Sequence, residues 1–167
     1  MRRVADAPGA PPPLAQVLAD RMASYMHLHT LYWHVRPYGA TAIMAAFDST
    51  GAPEDGGDAA GKPLLFVIEP TGVCHSYKAA ACGKGRQGVR TDLERLDLAT
   101  LTCEAAMLEV AKLIVKAKDD SSKRETEVEM AIISRGTGGQ FKRVEDEVVK
   151  KTMEDAKAAI DAEMDDD

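Results

Sequence analysis

Several residue types are scarce in this chain of 167 residues, and each scarcity excludes a class of protein. Its three cysteines (Cys74, Cys82 and Cys103) are odd in number, and their spacing fits neither a zinc site nor a disulfide framework. A reducing compartment is therefore expected. No apolar run approaches the ~20 residues of a membrane helix, and no apolar segment of a secretory signal follows Met1.

Aromatic and basic residues are also sparse. Aromatics make up 5% of the residues, so Ala, Val, Leu, Ile and Met must supply the core. The net charge is −6, its negative excess lies in the last residues, "DAEMDDD", and no basic stripe indicates nucleic-acid binding. Hydrophobic (45%) and charged (29%) residues occur in ordinary proportions, and the length suits one soluble globular domain.

Hydrophobic periodicity predicts an α+β protein, because the strands come in antiparallel-looking runs and the helices in pairs. Residues 1–13 are rich in Pro, Ala and Gly and are predicted to be a flexible lead-in, and 165–167 an acidic tail. The domain predicted over 14–164 includes a long hairpin insert at 49–63, rich in Gly, Pro and Asp. Helices are predicted at about 13–34, after the glycines of 83–88, at about 101–118, and beyond Phe141. Strands are predicted at 40–48, 64–70 and 126–134, with shorter ones within 73–82 and near Phe141. The strand at 40–48 is predicted to be covered on both faces.

A literal G-x-G-x-x-G is formed by Gly83, Gly85 and Gly88, the pattern of a dinucleotide-binding turn. Such a turn requires a second strand within ~30 residues that ends in a ribose-binding acid. Here a helix begins near Leu101 instead, and Glu104 lies inside it. The pattern is therefore interpreted as a tight turn into a helix, and no cofactor is predicted.

Three histidines cluster in "HLHTLYWH", but helical spacing argues against a metal site. His27 and His29 point to nearly opposite sides, while His27 and His34 are about 10 Å apart along the axis. Cys74 and His75 are adjacent on a predicted strand and face opposite ways, so they form no catalytic dyad. No metal ligand and no catalytic residue is predicted.

Several motifs in order then resemble the alpha-type subunits of the proteasome core particle. They are Leu18–Arg21, Arg36–Gly39, Glu69–Gly72, Ala81–Leu96 and Leu101–Cys103, together with the acidic end. The pattern is similar to that of the type 3 subunit, which occupies the seventh position of the alpha ring. It covers about residues 14–164.

The resemblance implies the C-terminal part of an Ntn-hydrolase-type αββα sandwich, in which antiparallel sheets lie between helix layers. It also implies a non-catalytic subunit of the outer ring, acting in ubiquitin-dependent and other proteasomal protein degradation in cytoplasm and nucleus. Neighbouring alpha subunits and a beta subunit are the expected partners, with no nucleic acid, membrane or cofactor. The family's N-terminal half is not found before Leu14, so no residue is assigned to gating or activator docking.

The family has glycine only at Gly83 and usually alanine at the other two positions of the loop. Gly85 and Gly88 are therefore interpreted as small-residue replacements inside the helix, each weakening it by up to ~1 kcal/mol relative to Ala.

A candidate subunit interface follows from the first predicted helix, whose apolar residues spread beyond one stripe. Its residues are Leu18, Met22, Tyr25, Met26 and Tyr32. Such an apolar surface marks an association site.

Two alternatives remain from the sequence. A threonine peptidase of the beta type needs a Gly-Thr junction, and Gly136-Thr137 is one, but only thirty residues follow it. The other alternative is a truncated or degenerate paralogue without a role in assembly.

Overall fold

The computed structural model describes residues 14–48, 61–118 and 127–165. The predicted lead-in at 1–13, most of the predicted hairpin insert and the last two residues lie outside these ranges. The described residues divide into two compact units. The first contains those up to Ala80 together with Ile133–Gln140, and the second contains the remainder.

The first unit is one helix on a three-stranded antiparallel sheet. Its helix α1 spans Leu14–Leu31, and its strands are β1 (Ala42–Asp48), β2 (Lys62–Ile68) and β3 (Cys74–Ser76). The sheet order is β1-β2-β3, with β2 in the middle. A short 3₁₀ turn at Arg135–Thr137 also belongs to this unit.

The β2–β3 hairpin is set by the sequence Glu69-Pro70-Thr71-Gly72. The Gly72 N–H donates to the Glu69 carbonyl at 2.8 Å, and the Glu69 N–H donates to the Val73 carbonyl at 2.9 Å. Gly72 has φ +84, a left-handed conformation that glycine adopts without a side-chain penalty. This is the three-residue hairpin loop in which a tight turn is followed by a left-handed residue.

The core of the first unit lies between α1 and one face of the sheet. Ala19, Ala23 and Met26 from the helix meet Phe66 and Ile68 of β2, and all five are buried. Met44 and Ala42 of β1 pack against this core, because the antiparallel pairing places Met44 opposite Phe66 and Ala42 opposite Ile68. Every second residue of β1 thus faces α1, as expected for the alternating side chains of a strand.

The other face of the sheet is only partly covered. Val67 of β2, opposite Ile43, is buried, and a β-carbon on Gly139 would lie 3.0 Å from the Phe47 ring. The middle of β1 is nevertheless exposed on this side, so the prediction that both faces of the strand would be covered is correct only in part. Ile43 is 43% exposed and Ala45 is exposed, and both point away from α1. Among the described residues, α1 covers only the opposite face. A continuous apolar run was compatible with two-sided burial, but the sequence alone does not supply the second layer.

The second unit is built on three helices: α2 (Arg86–Arg95), α3 (Cys103–Ala117) and α4 (Asp146–Asp165). Helix α3 packs against both of the others, as its narrow polar stripe predicted. Its N-terminus is capped by Thr102, whose hydroxyl accepts from the Ala105 N–H at 3.2 Å. Buried Ala111, Val149 and Ala156 belong to this packing.

The second unit also contains a two-stranded ribbon, whose first strand is shorter than predicted. Strand β4 is only Ala131–Ile132, paired antiparallel with β5 at Lys142–Arg143. The strand predicted over 126–134 is therefore far shorter. Of the described residues 127–130, Met130 alone has a backbone bond across the ribbon, in which its carbonyl accepts from the Val144 N–H at 2.9 Å. Val128 instead lines a groove of about 600 Å³ with Val149 and Met153.

Candidate subunit interface

The inner face of α1 is made of small residues. Ala19 is 0% and Ala23 is 6% exposed, and Ala15 also packs on the core. These alanines let the helix axis approach the sheet closely. The larger apolar residues of the helix are consequently turned to the other side.

That other side forms a surface that we call the α1 outer face. Leu18 and Tyr25 are each 57% exposed, and Met22 is 40% exposed. Helical spacing places the three on one stripe. The face also includes Leu14, Leu28, Leu31 and Tyr32, all exposed.

Four of the five residues predicted for the interface lie on this face. The exception is Met26, which is 5% exposed and packs in the core against the sheet. Met26 follows Met22 by four residues, and the rotation of about 40° between them brings Met26 to the side of Ala19 and Ala23. It is a core residue of the first unit.

The outer face continues into a loop that is fastened back onto the helix by aromatic rings. The ring of His29 lies 4.8 Å from that of Tyr25 and 4.6 Å from that of Tyr38. A hydrogen bond with Tyr25 is the main cause that raises the pKa of Tyr38 above its usual value. Tyr38 thereby fastens the loop beside the predicted interface residue Tyr25.

A second attachment joins α1 to the β2–β3 turn. The His27 Nδ1 lies 2.9 Å from the Thr71 carbonyl oxygen, to which its N–H donates. At Gly72 a β-carbon would lie 2.5 Å from the His27 Cβ and 2.7 Å from the Ala23 carbonyl oxygen. Any side chain there would push the helix off the sheet, so glycine is required for both its φ and this contact.

The most exposed aromatic was missed by the sequence reasoning. Trp33 follows the end of α1 and is 96% exposed. Its ring makes an edge contact with His34 at 5.8 Å between ring centres. The available signal was its place directly after Tyr32 and shortly before Arg36-Pro37, beyond the end of the helix, where neither a helix nor a strand covers a large ring.

The three glycines of the G-x-G-x-x-G do not act alike. Gly83 and Gly85 have φ of +100 and +79, whereas Gly88 has a helical backbone with open space where a β-carbon would be. Gly85 is the N-cap of α2, not a residue of its interior. The prediction that Gly85 lies inside the helix was therefore wrong, and a left-handed N-cap favours glycine. Gly88 does lie inside the helix, and its cost relative to alanine stays a prediction.

The remaining chemical candidates are engaged in local structure. Within residues 14–48, 61–118 and 127–165, no group of three or more His, Cys, Asp or Glu side chains is arranged to hold a metal ion. The hydroxyl of Thr137 accepts from the Ser134 N–H at 3.0 Å and donates to the Gln140 carbonyl at 2.8 Å. Thr137 thus stabilises a turn. Burial and the nearby Asp20 carboxylate raise the pKa of the Cys74 thiol.

Comparison with known proteins identifies the family. The family profile described as "Proteasome subunit" matches residues 7–133, which is more than half of the chain. This chain belongs to the proteasome subunit family. Among its described helices, none is long and apolar enough to cross a membrane.

The curated relatives of this proteasome-family chain are alpha-type subunits. It is 37% identical over 150 residues to "Proteasome subunit alpha type-3" of Arabidopsis thaliana, covering 90% of this chain and 55% of the relative. It is 39% identical to the protein of that name from Oryza sativa subsp. japonica, with the same coverage. With "Probable proteasome subunit alpha type-7" of Schizosaccharomyces pombe it shares 35% over 158 residues, 95% of this chain and 58% of the relative. The chain spans about half the length of these relatives.

Proposed function

We propose that this chain is a non-catalytic, structural alpha-type subunit of the proteasome core particle. It contributes to the outer ring in proteasomal protein degradation, in cytoplasm and nucleus. Its partners are neighbouring alpha subunits and a beta subunit. The observation that carries the proposal is the α1 outer face, a large apolar surface on a chain whose relatives are named as proteasome alpha subunits.

The surface has the composition of a binding site. Leu18, Met22 and Tyr25 leave about half of their side chains in water. Burying a fully exposed large apolar side chain is worth roughly 1.5–3 kcal/mol, so covering the remaining half is worth roughly half of that for each residue. Trp33 and Tyr32 are of the types that most often dominate interface energies. Contact with other subunits would remove this apolar area from water.

The proposed architecture is the C-terminal part of an Ntn-hydrolase-type αββα sandwich. In such a fold a second sheet packs on the first. Ile43 and Ala45, exposed on the side of β1 away from α1, lie where a second sheet would pack. Helix α1 on the opposite face supplies one outer layer.

Incorporation into the particle is the direct test. The tagged chain, expressed in its native cells, should co-sediment with proteasome core particles in a glycerol gradient. Met22→Lys places a charge on the α1 outer face and should reduce the co-sedimenting fraction at least several-fold.

Thr30→Lys is the matched control, because Thr30 is an exposed polar residue of the same helix that helical spacing places on the side of Ala19 and Ala23, away from the α1 outer face. It should leave incorporation unchanged. The proposal fails if the unmodified chain is absent from the particle fractions while its free form is folded and abundant.

The non-catalytic part has its own test. A covalent inhibitor directed at threonine nucleophiles should leave the purified chain unlabelled by intact mass, while labelling the beta subunits of a core particle in the same tube. A stoichiometric adduct on Thr137 would contradict it.

A further inference from the structure

Two of the four tyrosines are in contact with each other. All four lie in the described part of the chain, and among them only Tyr25 and Tyr38 bring their rings together, with ring centres 6.2 Å apart and ring planes inclined by 41°. Their side chains are also hydrogen-bonded to each other. A hydrogen bond between two tyrosine side chains joins their hydroxyl groups, so the hydroxyl ends of the two phenols meet.

The fold holds this pair in place. Tyr25 lies on α1, and Tyr38 lies in the loop that joins α1 to β1. The ring of His29 packs against both phenols, at 4.8 Å from the ring centre of Tyr25 and 4.6 Å from that of Tyr38. The His29 ring is itself fixed, because its Nδ1 lies 2.9 Å from the Tyr25 carbonyl oxygen. The two phenols are therefore kept adjacent by their surroundings.

Adjacent phenols can be joined by oxidation. A one-electron oxidant removes one electron and one proton from each hydroxyl group, which leaves two phenoxyl radicals. Each unpaired electron is shared with the ring carbons next to the oxygen, and one such carbon of each ring forms the new carbon–carbon bond. Each bonded carbon then loses its hydrogen as a proton, and each oxygen takes up a proton to restore the hydroxyl group. In total two electrons and two protons leave, and one peroxide molecule accepts them together with two further protons from solvent or, counted with those two, becomes two molecules of water.

The observed contact resembles the product of this reaction. In the product the two hydroxyl groups flank the new bond, so a hydrogen bond between the hydroxyl groups places the carbons that must join on facing sides of the two rings. The product rings are twisted about the new bond, and the rings of Tyr25 and Tyr38 are likewise inclined to each other. Bond formation then requires a movement of the Tyr38 loop toward α1.

We propose that Tyr25 and Tyr38 form an oxidative cross-linking site, at which a one-electron oxidant of the peroxide-dependent haem peroxidase class joins the two rings as dityrosine. The cross-link fastens the loop to α1 by a covalent bond. Two groups on one short segment have an effective concentration of about 1 mM, roughly a thousand-fold above that of a second chain at about 1 μM, so the bond forms within one molecule. This inference goes beyond the proposed subunit role and does not depend on it.

Oxidation of the full chain at about 1 μM with a haem peroxidase and hydrogen peroxide tests the site. The intact chain should lose two hydrogens without doubling its mass. After any methionine sulfoxide has been reduced, cyanogen bromide cleaves after each methionine and places Tyr25 on fragment 23–26 and Tyr38 on fragment 27–44. Mass spectrometry should find these two fragments joined. Free tyrosine, oxidised under the same conditions in a parallel tube, shows that the oxidant is active.

Tyrosine-to-phenylalanine variants identify the pair. Tyr38→Phe lacks the hydroxyl group that forms the radical and should lower the yield of joined fragments by about ten-fold or more. Tyr32→Phe is the matched control, because Tyr32 is an exposed tyrosine on the same fragment whose ring contacts that of His34. It should leave the yield unchanged. The proposal is overturned if the folded, unsubstituted chain yields no joined fragments, if Tyr38→Phe yields as much, or if Tyr32→Phe abolishes them.

Discussion

The two glycines at the start of α2 should respond oppositely to the same substitution. Gly88→Ala adds a β-carbon in open space within a helix, so it should stabilise the protein by up to ~1 kcal/mol. At Gly85, φ is +79 and the new β-carbon would lie 3.3 Å from the Ala117 carbonyl oxygen. Gly85→Ala should therefore destabilise it by about 1–2 kcal/mol, the cost of a left-handed conformation for a residue with a β-carbon.

The difference between the two variants is about 1–3 kcal/mol, which corresponds to a separation in Tm of about 2–12 °C for a chain of this size. Thermal unfolding followed by circular dichroism measures it. Amide exchange within Arg86–Arg95 reports whether the change is local to α2.

Gly83→Ala separates the two causes proposed at Gly85. Gly83 also has a left-handed φ, +100, but a β-carbon there meets no atom within 4 Å. It should show the conformational cost alone. If Gly85→Ala instead raised Tm as much as Gly88→Ala, Gly85 would lie inside the helix and the N-cap assignment would be wrong.

Three further outcomes are expected. Met26→Ala should lower the free energy of unfolding by about 2–5 kcal/mol, because the Met26 side chain is buried. Met22→Ala on the α1 outer face should lower it far less, and equal denaturant midpoints for the two variants would contradict this. Cys74 should be alkylated more slowly than exposed Cys82 at pH 8, since its raised pKa lowers the thiolate fraction, and equal rates by mass spectrometry would exclude the effect. Replacing residues 49–61 by Asn-Gly should leave Tm nearly unchanged, because closure entropy varies slowly with loop length, and a sharp fall would show that the segment contributes contacts.

Local patterns determined much of the element order. The helix predicted at 13–34 is Leu14–Leu31, and the one predicted at about 101–118 is Cys103–Ala117. Periodicity suffices for long helices because every turn repeats the signal. It failed for 126–134, where alternation was read as a full strand although strand formation needs a partner.

The glycine loop shows why single positions resist prediction. Gly85 and Gly88 are chemically identical in the sequence, and the helix pattern around both is similar. Only the backbone places one outside the helix with a positive φ and the other inside. The consequence of adding a β-carbon is thus set by the fold.

By itself the sequence determined the α+β class and the family, since both depend on periodicity and on motifs that are local along the chain. The tertiary structure decided which side of α1 is buried. Hydrophobicity alone would bury Leu18 and Tyr25, yet Ala19 and Ala23 face the sheet and the larger residues face outward. The close approach of Gly72 to Ala23 and His27 joins residues far apart in the chain, so no local pattern encodes which side of the helix meets the sheet.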